Sequence, residues 1–140
     1  MQVIFARNRH WISWLVRVRT NSDWSHVAIV DGDNVIEAMG GFGVTLTPID
    51  RFKDRYDKFE VRQMIGDIEK ARSKLGMEFD LSGLWGIFFR KQWQNPEQWF
   101  CSEIVAHACT YISDDYQHNF TPELLYWLST PVTNMRADNE

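Results

Sequence analysis

Three side chains of this sequence could together carry out acyl chemistry: the thiol of Cys101, the imidazole of His26 and the carboxylate of Glu37. A thiolate attacks a carbonyl carbon, but it needs a base to take and return a proton, and the base works best when a third group holds its ring. His26 and Glu37 are brought together by one element. The stretch Trp24–Met39, WSHVAIVDGDNVIEAM, reads as a β-hairpin: an apolar run Val27–Val30, a turn cluster Asp31-Gly32-Asp33-Asn34, and a second run Val35–Ala38. A Gly32-Asp33 loop fits a type II′ turn, sets Met39 opposite His26 and leaves Glu37 on the diagonal. An Asp31-Gly32 loop fits type I′ and sets His26 directly against Glu37. The two registers differ by two residues, so both place His26 and Glu37 on one face.

Cys101 opens the best helical pattern in the chain, Phe100–Ile112, in which Cys101, Val105, Ala108 and Ile112 share a face. At a helix start, free N–H groups and the positive end of the dipole favour a thiolate and offer a donor to an oxyanion. A start at Trp99–Cys101 serves that role, whereas a start at Asn95-Pro96 would carry Cys101 past the first turn. The plain alternative for a thiol is burial in the core, and Cys109 illustrates it. On one helix the two cysteines stand about 12 Å apart, beyond disulfide reach. Two free thiols suit a reducing compartment. His107 points about 240° around the helix from Cys101, and His10 and His118 come with no positioned acid. His26 and Glu37 also have plain readings, as a hydrogen-bonded core histidine and an exposed strand residue, but their shared face favours the site. Trp24, Ser25 and Trp99, which flank these residues, and Asp80 are candidate substrate contacts.

Other chemistries fit less well. No Cys-x-x-Cys or His-Glu-x-x-His spacing exists, so no metal is expected, and no cofactor either. Gly40-Gly41-Phe42-Gly43 lacks the strand–loop–helix setting and the lysine of a phosphate-binding loop. Asp31-Gly32-Asp33-Asn34 resembles part of a calcium loop without its twelfth-position glutamate. A hairpin turn accounts for it.

The elements that must position these groups are legible in outline. Gln2–Ala6 is a strand. His10–Arg19 is a basic helix with Asn8 as a cap and Trp11, Leu15 and Val18 at i, i+4 and i+7, directed at the core rather than at a membrane surface. Gly40–Gly43 is a flexible turn, Val44–Thr47 a third strand of the sheet and Phe52–Lys58 a polar connection. Phe59–Met64 alternates as a further strand. Asp67 caps a helix with Ile68, Ala71 and Leu75 inward, stopped by Gly76. Asp80–Arg90 is an aromatic-rich helical segment and Lys91–Gln98 a loop. Thr121-Pro122 starts a last helix, with Thr as cap and Pro at the first position, and residues 130–140 form a loose tail.

Residues 1–140 suffice for one domain with its own core. The net charge of −4 argues against nucleic acid as a partner, while 14% aromatic residues, seven Trp among them, suit a thick core or an apolar cleft. The charge is uneven, with Arg7, Arg9, Arg17 and Arg19 in the first thirty residues and acids prevailing after Asn95; solvated faces of opposite sign explain it. No signal-peptide pattern and no membrane-spanning run is present, so the expectation is a protein made in the cytoplasm, delivered elsewhere only by a route not written in this sequence, and with no stable membrane insertion.

WSHVAIV, then VIEA and a Gly-rich turn, with FCSE opening a later helix, resembles the permuted branch of the NlpC-type papain-like cysteine hydrolases. In that branch the His strand precedes the Cys helix. The likeness runs from Gln2 through the TPELL at Thr121. Carried over by position, it implies Cys101 as nucleophile, His26 as base and Glu37 as the residue that orients it. Phe79-Asp80-Leu81-Ser82-Gly83-Leu84 looks like the FDCSGL nucleophile motif of unpermuted relatives, but Leu81 stands where the cysteine would be. The resemblance implies a small α+β fold, circularly permuted, with an antiparallel or mixed sheet packed on the Cys-bearing helix. It implies acyl chemistry at a thiol without fixing the substrate; the favoured reading is a cysteine peptidase or amidase working through an acyl-enzyme on a peptide or amide, bacterial cell-wall peptide being one such substrate. The alternatives are an acyltransferase, a thioesterase or lipid hydrolase on the same triad, and a non-catalytic binding protein that keeps the fold.

Overall fold

A computed structural model describes residues 1–10, 13–14, 17–18, 21–39, 42–79, 98–99 and 101–132. The chain enters through β1 (Gln2–Arg7), and the expected hairpin follows as β2 (His26–Asp31) and β3 (Asn34–Met39). Ile29 pairs with Ile36 and Asp31 with Asn34, so the loop is Gly32-Asp33. Gly32 has φ +59° and Asp33 does not share that sign, which selects the type II′ alternative, where only the first central residue is left-handed. β4 (Gly43–Pro48) continues the meander, α1 (Ile49–Lys53) follows, and β5 (Lys58–Gln63) returns to pair with β1. Next come α2 (Ile68–Arg72) and the short parallel pair β6 (Glu78–Phe79) and β7 (Gln98–Trp99). The chain then forms α3 (Cys101–Ala108), a 3-10 turn (Asp114–Asn119), α4 (Pro122–Leu128) and β8 (Thr130–Pro131). The fold is α+β, with a six-stranded antiparallel sheet in the order β4-β3-β2-β1-β5-β8.

Alternation gives the sheet two apolar faces. Val3, Phe5, Val27, Ile29, Ile36 and Ala38 point to one side and are covered by Ile104, Val105 and Ala108 of α3 together with Ala71 and Leu125. Ile4, Ala6, Ala28 and Val35 point to the other, where Phe52 of α1 caps a smaller core. His26 and Glu37 share the parity of Ala28 and Val35, so they belong to this second side. β4 is held at its outer edge by Val44 N–H donating to Met77 O at 2.7 Å and Gly76 N–H donating to Val44 O at 2.8 Å. The approach is so close that Gly43, at φ +74°, has no room for a Cβ: one would lie 2.1 Å from Met77 O.

Several expectations are corrected. Phe52–Lys58 is no mere polar connection, because it begins inside α1 and buries Phe52 completely, worth about 2 kcal/mol of apolar transfer. Leu75 is 40% exposed, since α2 ends at Arg72 before reaching it. The Cys helix stops at Ala108, where Cys109 turns off to bridge Gly66, so Ile112 joins the core from beyond the helix. The tail is not loose from its start: Thr130 pairs with Gln63 and Pro131 with Arg62. In the basic segment His10 N–H donates to Asn8 Oδ1 at 3.2 Å, as a cap should, but Val18 faces solvent instead of the core. The expected loop Lys91–Gln98 ends in strand, because Gln98 belongs to β7. The rest of that loop, residues 91–97, and the helix expected over Asp80–Arg90 lie outside the described residues. Among the described residues no helix is long and apolar enough to cross a membrane.

Candidate functional site

The hairpin places His26 at the first position of β2 and Glu37 in the middle of β3. Extended to the strand start, the observed register sets Met39 opposite His26 and Glu37 on the diagonal, within reach of long side chains. The side chains close that gap: His26 Nε2 lies 2.9 Å from Glu37 Oε2. Glu37 is wholly buried and His26 nearly so, with a side-chain exposure of 12%. The Cys101 thiol acts on the same imidazole and, like Glu37, favours its charged form. Cys101 is half-buried and begins α3, because Gln98–Trp99 are still strand. The later of the two expected helix starts is therefore the observed one. His26 sits at the strand's end, where a thiol from the helix on the first face can meet a ring belonging to the second.

Four residues that sequence reasoning overlooked as site residues complete the arrangement. Arg55 Nη2 donates to the second oxygen of Glu37 at 2.5 Å, and its Nη1 approaches Met39 Sδ at 2.9 Å. Tyr56 lies nearly parallel to the imidazole, with ring centroids 5.6 Å apart and planes 13° from each other, and Phe52 flanks the ring at 5.8 Å. Thr47 on β4 adds a hydrogen bond to the Glu37 carboxylate. The missed signal was the spacing of Phe52 and Tyr56, four apart in an otherwise polar stretch, which marks an inward-facing turn.

The electrostatics follow from this packing. Burial, the largest influence on His26, disfavours its charged form, but it is outweighed by Tyr56, Cys101 and Glu37, and the imidazole titrates well above its ordinary range. Burial also pushes the Tyr56 phenol up from its ordinary value. Burial pushes Glu37 up too, yet His26, Thr47 and Arg55 together hold it below the usual carboxylate range. Cys109 shows the opposite fate of a thiol: fully buried, it is pushed up to about 11.

The other candidates fall in different places. Trp24 is buried against Phe5 and Tyr126 at 6.1 and 5.5 Å, so it is a core residue and not a substrate contact. Ser25 Oγ accepts from Ser13 Oγ at 2.6 Å, and Ser25 N–H donates to Ala6 O at 3.1 Å. Both residues fix the approach to His26. Trp99 lies in β7 beside the start of α3, and Asp80 lies outside the described residues. His107 is paired with Gln117 at 3.1 Å. A groove of about 510 Å³ lined by Met39, Phe42, Thr45, Thr47, Arg51, Asp54 and Arg55 adjoins the Glu37–Arg55 end of the arrangement.

No family model and no curated protein matches the chain. Among solved structures the fold is similar to that of metalloprotein YiiX from Escherichia coli O157:H7, a DUF1105 protein, with a TM-score of 0.54 and 25% identity over 74% of this chain and 60% of that one. The chain thus corresponds to about 60% of that protein's length. The donor set here does not fit a metal: both Glu37 oxygens are taken by His26 and Arg55, and among the described residues no three His, Cys, Asp or Glu side chains cluster to hold an ion.

Proposed function

We propose that the protein is a cysteine hydrolase of the permuted NlpC-type papain-like arrangement, cleaving an amide or peptide bond through Cys101, His26 and Glu37. The carrying observation is the 2.9 Å pairing of His26 with the wholly buried Glu37 carboxylate, on an imidazole whose charged form the Cys101 thiol also favours. The chain order, with the His strand before the Cys helix, and the α+β architecture support the assignment. A buried imidazole held protonated beside a thiol at a helix start is the resting state expected of a thiolate–imidazolium nucleophile.

The reaction runs in two halves. Cys101 Sγ bonds to the substrate carbonyl carbon while the developing oxyanion meets the Cys101 N–H, one of the first helical N–H groups that have no acceptor within the helix. His26 gives its proton to the departing amine as the C–N bond breaks, leaving a thioester. Water then enters, His26 takes its proton, hydroxide adds to the thioester carbon, and the C–S bond breaks to release the acid and restore the thiolate. Glu37 holds the ring throughout and stabilises its charged form.

An activated ester tests this without knowledge of the natural substrate. After brief exposure to p-nitrophenyl acetate, the intact mass of the protein should rise by one acetyl group, mapped to Cys101 and absent from Cys101→Ala. Acetylation that persists unchanged in Cys101→Ala would contradict the reading.

A further inference from the structure

We infer that Arg55 is a positioning residue of the same site, a fourth member that balances its charge and so sustains the ionised form of Cys101. The inference rests on the cysteine-hydrolase reading and extends it to a residue outside the triad. Three groups form one bonded line, His26, Glu37 and Arg55, through the 2.9 Å His26–Glu37 bond and the 2.5 Å Glu37–Arg55 bond, and the Cys101 thiol acts on its imidazole end. Glu37, at the centre, has no exposure to water, so its charge must be compensated by neighbours rather than by solvent. His26 takes one oxygen and Arg55 the other.

The charge count shows what Arg55 does. With the thiol neutral, Arg55, Glu37 and His26 together carry one net positive charge, and ionising Cys101 makes the line neutral. Without the guanidinium charge, the same ionisation would take the line from neutral to net negative in a largely buried place, which is unfavourable. Among the described residues, β2 and β3 bring His26 and Glu37 to the line, β4 the neutral Thr47 hydroxyl, the segment after α1 the neutral Tyr56 phenol, and α3 carries Glu103 two positions beyond Cys101. Asp54 and Arg51 face the adjoining groove, are solvent-exposed and oppose each other in sign. Arg55 itself is held over Phe52 and Tyr56, its guanidinium carbon 5.5 and 5.6 Å from their ring centroids, so it is fixed in place by the same two rings that pack beside His26.

The test is the pH profile of Cys101 alkylation by iodoacetamide in wild type, Arg55→Lys, Arg55→Gln and His26→Ala, each rate normalised to its own alkaline plateau. Gln keeps a hydrogen-bond donor for Glu37 without charge, which protects folding; Lys keeps the charge. Arg55→Gln should move the acid limb up by about one pH unit, and Arg55→Lys should track wild type. A superimposable Arg55→Gln profile, or an equal shift in both variants, overturns the role of Arg55 while a slow His26→Ala leaves the hydrolase reading intact. An acid limb in His26→Ala identical to wild type overturns both.

Discussion

His26 and Glu37 are bonded diagonally across the hairpin at 2.9 Å, and the carboxylate that holds the ring is sealed from water. A carboxylate in that setting is costly unless it is paired, and its pairing partners are the base and Arg55. Glu37→Gln should therefore keep the ring roughly in place while removing the charge that favours imidazolium. Turnover of an activated ester should fall by roughly 10²–10⁴, the range of acid–base contributions. Steady-state rates on p-nitrophenyl acetate, with circular dichroism to verify folding, measure it; an unchanged rate would reduce Glu37 to a strand residue.

The two thiols should behave as opposites. Cys101 meets an imidazole and is half-exposed, whereas Cys109 is fully buried and pushed up to about 11. In the folded protein near pH 6, iodoacetamide should label Cys101 and leave Cys109 untouched, read by peptide mapping. Equal labelling would remove the distinction between them.

Stability should depend on pH through His26. Its folded-state pKa is raised above the unfolded value of about 6.5, so its contribution is fully present below that value and is lost as pH rises through the folded pKa. Wild type should lose stability through the window that opens above pH 6.5, and His26→Ala should show a flatter profile there. Urea midpoints at stepped pH values measure it. Glu37 works in the reverse sense: its lowered pKa contributes stability at neutral pH that is lost as pH falls through the acid range.

Much of the fold was written in the sequence, because the strands alternate cleanly and the turn residues are explicit. The hairpin, the Asp67 and Thr121 caps and the one-face relation of His26 and Glu37 follow from periodicity that a change of register by two cannot disturb. Arg55 was not legible, since its role depends on how the segment after β4 folds back over the sheet, and Tyr56 left only its spacing from Phe52 as a trace. Trp24 looked like a site residue because it adjoins His26, yet alternation and the packing of Phe5 and Tyr126 draw it into the core. Leu75 fits a helical face only if the helix runs on past Arg72, and the turn ahead of Gly76, at φ +87°, ends it first.

Gly43 tests the support beneath the site. Gly43→Ala would combine a left-handed backbone with a Cβ driven into Met77 O, and should cost about 3 kcal/mol. The drop in urea midpoint at constant slope measures it; a loss within half a kcal/mol would mean that β4 shifts away from the Met77 segment without penalty.

The central claim is that His26 activates Cys101, and the acid limb of Cys101 alkylation measures this most directly, because no substrate need be known. In wild type the iodoacetamide rate at pH 5.5 to 6.5 should stay close to its alkaline plateau, and in His26→Ala it should fall toward the rate of an ordinary thiol, roughly a hundredfold lower at pH 6.5 and roughly a thousandfold at pH 5.5 given the model cysteine value of about 8.5. Rates in His26→Ala that match wild type across that window would contradict the account.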